Sequence, residues 1–221
     1  MRESVQTALA LFGGLREQDL GEGCSLWHGE TFAREEERAW FERLHAELPW
    51  VQELYPRGGS FVPAPRLTSF HGDEGCRYVY SGIAYEPAPF TPLLLAIRAR
   101  LRAATRYDFN SVLANLYRDG ADSVGWHADD EPELGPSRDD IAIASLSLGA
   151  PRRFVLKHRK SGASMAFELG HGALLVMAGR TQRHYVHALP KTKRAVGPRL
   201  NLTFRVIEAD SNASCLADGA R

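Results

Sequence analysis

Between residues 31 and 48 the apolar side chains Trp40, Phe41, Leu44 and Leu48 recur at helical spacing within a run rich in Glu and Arg. With Thr31 placed to cap it, the pattern predicts an amphipathic helix. A second helix is predicted to start near Thr91, with Pro92 in its first turn and Leu94, Ile97 and Leu101 as its buried stripe. Its exposed face is expected to carry Arg98 and Arg102. After Tyr107 the texture changes to short β-type runs at 111–117, 141–148, 153–157, 173–177 and 199–207, separated by Gly, Pro and charged loops. Such spacing predicts a sandwich or jelly roll, so the chain is expected to be mainly β with flanking helices.

No internal repeat is visible. Residues 55–90 are rich in Pro, Gly, Arg and aromatics around a strand-like Tyr78-Val79-Tyr80, which predicts a lid or recognition segment. The expected organisation is one catalytic domain over 1–221. It comprises an N-terminal extension with a helix (1–54), the lid (55–90), a jelly-roll core (91–208) and a loose polar tail (209–221).

Composition narrows the setting more than the chemistry. Lys plus Arg and Asp plus Glu balance at 27 each, so a nucleic acid partner would be held by a local basic patch and not by the field of the whole protein. The three cysteines, Cys24, Cys76 and Cys215, are odd in number and lack metal-type spacing, which argues against a disulfide framework or a zinc knuckle and for a reducing compartment. No run approaches the ~20 apolar residues of a membrane span, and the start of the chain does not read as a signal peptide. A cytoplasmic monomer that does not engage a membrane is expected.

The candidate chemistry begins at Gly125-Trp126-His127-Ala128-Asp129. An imidazole and a carboxylate two residues apart share a face on an extended backbone. A further His would complete a two-histidine, one-carboxylate set, which leaves three positions of an octahedron open for a chelating cosubstrate and dioxygen. Both His184 and His187, in the stretch 179–190, can supply it, while His171 reads as a turn residue.

The strand at 198–206 alternates with period two, placing Arg199, Asn201, Thr203 and Arg205 on one face and Leu200, Leu202, Phe204 and Val206 on the other. Such a polar face is either solvated or, if it lies inside a jelly roll, in need of an anionic partner. A small dicarboxylate offers each arginine a fork-shaped match. Asn115 and Tyr117 repeat the pattern opposite Ala114 and Leu116, and are candidates to bind the same diacid.

Taken in order, Asn115-Leu-Tyr117, His127-x-Asp129, His187 and Arg199-x-Asn201-Leu-Thr-Phe-Arg205 resemble the AlkB family of oxidative nucleic acid dealkylases over residues 65–206. The form His127-Ala-Asp129-Asp130-Glu131-Pro-Glu133-Leu134 is most similar to its DNA-repair branch. The resemblance implies a double-stranded β-helix, iron(II) bound by His127, Asp129 and His187, and 2-oxoglutarate held by Arg199, Arg205, Asn115, Tyr117 and Asn201. It further implies that O2 and 2-oxoglutarate are converted to succinate and carbon dioxide while an N-methyl group of a base such as 1-methyladenine or 3-methylcytosine is hydroxylated and leaves as formaldehyde.

Pro65-Arg66 and Tyr78-x-Tyr80 look like the family's nucleotide-recognition segment, with a tyrosine placed to stack on an extruded base against His127. Glu131 matches an acidic position that contacts the exocyclic amine. The family's duplex-invading members carry an aromatic wedge where this chain has Pro56-Arg57-Gly58-Gly59-Ser60, with Phe61 beside it, so single-stranded DNA is the expected substrate, with RNA possible. Arg57, Arg66, Arg106, Arg118, Arg152, Arg153, Lys157, Arg159 and Lys160 are candidate phosphate contacts. Iron and diacid positions do not name the prime substrate. An oxygenase acting on a protein or small molecule is therefore one alternative, and a non-catalytic nucleic-acid-binding jelly roll another.

Overall fold

A computed structural model describes residues 15–30, 32, 34–80, 83–134 and 139–208; within these, the side chains of residues 34, 37, 57, 78–80 and 83–85 are not described. Chain order is β1 (Arg16–Gly21), β2 (Cys24–Glu30), α1 (Arg34–Glu47), β3 (Leu54–Arg57), β4 (Ser60–Pro63), β5 (Leu67–Gly72), β6 (Tyr78–Tyr80), β7 (Ile83–Tyr85) and α2 (Pro92–Thr105). There follow β8 (Ser111–Tyr117), β9 (Val124–His127), β10 (Ile143–Gly149), β11 (Arg152–His158), β12 (Ser164–Leu169), β13 (Ala173–Gly179), α3 (Thr181–His184), β14 (Tyr185–Leu189) and β15 (Arg199–Arg205).

Two antiparallel sheets face each other, a major one ordered β1-β2-β13-β10-β15-β8-β5 and a minor one ordered β12-β11-β14-β9. The four strands β13, β10, β15 and β8 opposed to the four of the minor sheet make the jelly roll. Period-two alternation sorts the side chains of the major sheet between two layers. On its outer face Ala114, Leu116, Leu146, Leu148, Leu200, Leu202 and Phe204 pack with Trp40, Leu44 and Leu48 of the α1 region and with Leu94, Ile97 and Leu101 of α2. On the inner face Leu113, Ile143, Leu175 and Met177 meet Phe154, Leu156, Leu169 and Leu189 of the minor sheet. Each of these large side chains contributes about 1.5–3 kcal/mol by leaving water.

The second helix begins as its sequence predicts. Leu94 N–H donates to Thr91 Oγ1 at 3.2 Å, and Pro92 sits where no donor is needed. It stops where Arg106 turns left-handed at φ 66° and returns its N–H to the Arg102 carbonyl at 2.8 Å. The expected cap Thr31 lies outside the described residues.

Three expectations need correction. Arg98 is not on an open face: it is half-buried and bonded to Asp73 Oδ1 at 2.9 Å. Val206 does not fill the apolar face, because the last strand ends at Arg205. There Asn110 takes both backbone groups of Ile207, donating to its carbonyl at 2.7 Å and accepting its N–H at 2.8 Å, and Val206 is left exposed. The sheet also reaches beyond 91–208. β5 pairs with β8, and the β1–β2 hairpin joins β13, so the stretch read as a lid divides into hairpin β3–β4, sheet strand β5 and hairpin β6–β7.

Candidate metal and cosubstrate site

The inner cavity lies between the sheets, lined by β8, β10 and β15 on one side and β9 and β14 on the other. β9 pairs with β14 so that His127 stands opposite His187, their ring centroids 4.2 Å apart. The strand ends at His127, and Asp129 enters from just beyond it, not from a continuous extended segment. Its backbone N–H donates to Oε1 of buried Gln182 at 3.0 Å, which holds the loop in place. One ligand atom from each of His127, Asp129 and His187 lies within 4.8 Å of the others, and His187 Nε2 is 3.5 Å from Asp129 Oδ2.

This set fits a divalent transition metal. His127 Nδ1 is 2.8 Å from the Gly125 carbonyl, which can only accept, so that nitrogen carries the ring proton and Nε2 is the nitrogen whose lone pair can bind a metal. Asp129 is ionised. Burial alone would raise its carboxyl, but the adjoining Arg205 guanidinium and the bond with His187 hold it well below the usual carboxylate range. Burial, then the neighbouring His187, pushes His127 down to about 4, which keeps it a neutral donor. Phe154 stacks on the His187 ring at 5.3 Å between centroids and fixes its plane.

The polar face of β15 points into the same cavity, where Arg199, Asn201, Thr203 and Arg205 all line it together with Asn115 and Tyr117 from β8. Arg199 is almost wholly buried, and burial pushes its guanidinium down to about 10. Its Nη2 donates to Ser147 Oγ at 2.7 Å and Asn201 Oδ1 at 2.9 Å; its Nε finds no partner among the described residues. The guanidinium carbon sits 5.4 Å from the Tyr117 ring centroid. No carboxylate of the described residues pairs with Arg199, so an entering anion would meet a cation already stripped of water. Arg205 instead donates from Nη2 to Asp129 Oδ1, placing the second arginine at the metal end.

Sequence reading missed Ser145, Ser147 and Gln182. Ser145 Oγ donates to Asn201 Oδ1 at 2.8 Å, and the two serines alternate with Ala144, Leu146 and Leu148 along β10, a period-two signal that was present. Nothing local to Gln182 points to Asp129.

The residues expected to read the base are less tightly gathered. Arg66 is buried and lines the cavity, but its Nε donates to Asn115 Oδ1 at 2.9 Å and its Nη2 to Tyr55 Oη at 3.3 Å, so it orients Asn115. The side chains of Tyr78 and Tyr80 lie outside the described residues. Glu131 keeps a buried Oε2 with no partner among the described residues, and burial, then the charge of Asp129, raises its carboxyl to about 7. A cation held at Asp129 would draw that value back down.

Among the proposed phosphate contacts, Arg152 is buried and donates to the carbonyls of Asp119, Asp122 and Pro190, Arg118 chelates Asp122, and Arg159 bonds Asp130. Burial and these partnerships occupy those three. His171 sits in a turn, accepting the Gly149 N–H at 2.8 Å. His184 is absent from the cavity lining and lies beside Glu22 and His158.

A family model described as the 2OG-Fe(II) oxygenase superfamily matches residues 23–205. The chain is 36% identical over 197 residues to the mouse DNA oxidative demethylase ALKBH2, covering 84% of this chain and 81% of that protein. Against the mouse alpha-ketoglutarate-dependent dioxygenase alkB homolog 3 it is 41% identical over 179 residues, covering 76% of this chain and 61% of that protein. The solved structure of OsALKBH1 superposes with a TM-score of 0.57 at 17% identity, covering 86% of this chain and 100% of that one, which shows a shared fold.

Proposed function

The chain belongs to the AlkB family of 2OG-Fe(II) oxygenases, and on that footing we propose that it oxidatively removes alkyl groups from nucleic acid bases. DNA carrying 1-methyladenine or 3-methylcytosine is the first substrate. The observation that carries this reading is the meeting, in one buried cavity, of the His127, Asp129 and His187 donor set with Arg199 and Arg205. Iron(II) held by the three donors, with O2 and 2-oxoglutarate, would supply the oxidising power that converts an N-methyl to an N-hydroxymethyl group, leaving succinate and carbon dioxide.

The residues have separable roles. Arg199, braced by Ser147 and Asn201 and faced by Tyr117, takes the far carboxylate of the diacid, and Arg66 keeps Asn115 turned toward the same ligand. Arg205 holds Asp129 ionised and aimed while orienting the near end. The buried Oε2 of Glu131, without a partner among the described residues, is an acceptor that an exocyclic amino group of a flipped base would satisfy. Formaldehyde leaves when the hydroxyl proton is lost to solvent, the C=O bond forms and the electron pair of the broken C–N bond returns to the base nitrogen.

Single-stranded or already opened sites are the proposed preference, because the β3–β4 turn is built from Gly58 and Gly59 and offers no side chain at its tip to fill a vacated stack. Cys24 and Cys76, buried and in no disulfide among the described residues, support a reducing, cytoplasmic setting. A monomer is the proposed state. Mass spectrometry of a single-stranded oligonucleotide bearing one 1-methyladenine, after incubation with protein, iron(II), ascorbate, 2-oxoglutarate and air, tests the activity. The expected result is loss of one methylene equivalent, absent with Asp129→Ala. Succinate release with an untouched oligonucleotide would move the substrate to a protein or small molecule.

A further inference from the structure

Away from the cavity, three side chains distant in sequence converge on one point. Glu22 projects from the β1–β2 turn, His158 ends β11 and His184 ends α3. Glu22 Oε2 lies 3.0 Å from His158 Nε2 and 3.4 Å from His184 Nδ1, and one donor atom from each residue falls within 4.8 Å of the other two. We propose that Glu22, His158 and His184 form a second, peripheral site for a divalent transition metal of the zinc type.

The spacing suits such an ion. Ligand atoms about 2.0–2.1 Å from a tetrahedral zinc stand roughly 3.3 Å from one another, close to both measured separations. The frame is fixed by backbone bonds independent of the side chains. Arg180 N–H donates to the Gly23 carbonyl at 3.0 Å, tying the Glu22 turn to the start of α3, and Arg159 N–H donates to the His184 carbonyl at 2.8 Å, tying its end to β11. Glycine is required where that turn meets the end of β13: Gly23 and Gly179 both have positive φ, and a Cβ on Gly179 would lie 2.3 Å from the Gly23 oxygen.

The His158 ring is also held from behind, with Ser161 N and Ser161 Oγ each 3.0 Å from Nδ1. Metal on Nε2 puts the ring proton on Nδ1, where Ser161 Oγ accepts it; the Ser161 amide, at an exposed turn, passes to water.

The donor chemistry sets the selectivity. Two imidazoles and one carboxylate suit zinc, copper or nickel, whereas magnesium and calcium need several more oxygens. Lys160 adds positive charge near Glu22, which weighs further against ions bound by charge alone. Glu22 is exposed, so a remaining position opens to solvent. Occupancy would lock the first hairpin to the α3–β14 junction.

The test separates this site from the cavity by using the full-length Asp129→Ala protein, whose three-donor set is broken. Zinc competition against a chromophoric chelator, with cobalt(II) absorption as a second readout, is expected to give one equivalent bound. Glu22→Gln and His158→Asn, each added to Asp129→Ala, are expected to lower that affinity at least tenfold, with circular dichroism unchanged. Zinc at a hundredfold excess over its Kd should raise the Tm by roughly 5 °C, an increase the Glu22→Gln protein loses. Magnesium should do neither. Absence of zinc binding in Asp129→Ala, or binding indifferent to Glu22→Gln and His158→Asn, would show that the three residues form only a hydrogen-bonded clasp. Neither outcome touches the dealkylation reading, which is decided on the oligonucleotide.

Discussion

Arg205 Nη2 donates to Asp129 Oδ1, and both side chains are at least 95% buried. The last strand of the sheet thereby sets the charge and aim of a carboxylate that enters from the loop after β9. Arg205→Ala removes the partner of a buried anion. We expect the metal-free protein to lose about 3 kcal/mol of stability and the 2-oxoglutarate KM to rise at least tenfold. Urea unfolding and succinate kinetics check the two parts separately. An unchanged KM would remove Arg205 from the diacid site.

His187 and His184 are only three residues apart, but the helix-to-strand change between them puts them in different clusters. His187→Ala is expected to abolish iron-dependent succinate formation, while His184→Ala retains turnover. Anaerobic iron(II) binding followed by absorption of the 2-oxoglutarate complex gives the comparison, and the reverse ranking would overturn the donor assignment.

Phe61 is 70% exposed on β4, next to the glycine tip of the β3–β4 hairpin. If the preference for single strands holds, Phe61→Ala leaves turnover of a single-stranded methylated oligonucleotide and of its duplex in the wild-type ratio. Selective loss on the duplex would make Phe61 the wedge and withdraw the preference.

His71 gives a pH test remote from the metal donors. Burial holds its imidazole below the ordinary value, against the opposing bond to the Pro89 carbonyl at 2.8 Å, so the folded protein keeps it neutral. Unfolded, it takes a proton near pH 6.5. The stability it contributes is therefore fully present above about pH 6.5 and is lost as pH falls toward the depressed folded value. His71→Asn keeps a donor for Pro89 but cannot titrate. Subtracting its unfolding free energy from that of the wild type should give a difference that shrinks from pH 7.5 to pH 5.5; a constant difference rejects the account.

Much of the site was readable because strand chemistry is local. Alternation alone placed Arg199, Asn201, Thr203 and Arg205 together, and all four line the cavity. The Thr91-Pro92 start of α2 was equally local. What escaped depends on partners far along the chain. Arg66 lines the cavity as well, but its bond to Asn115, 49 residues on, has no local signal. β5 read as lid because its membership of the major sheet depends on β8. Val206 extended the apolar pattern correctly, but the Asn110 clamp on Ile207 ended the strand first.

β15 is hydrogen-bonded on both sides, to β10 and to β8, with Arg199 opposite Gly149 and Tyr117 in the same register. A single-codon deletion inside 199–205 would set Arg199 and Arg205 on opposite faces, turning one of them under the helices and the leucines on its side of the deletion into the cavity, removing packing and cosubstrate binding together. The strand should thus accept many conservative replacements yet tolerate no change of length, and laboratory evolution of this protein by random insertion and deletion should recover variants from its loops and none from β15.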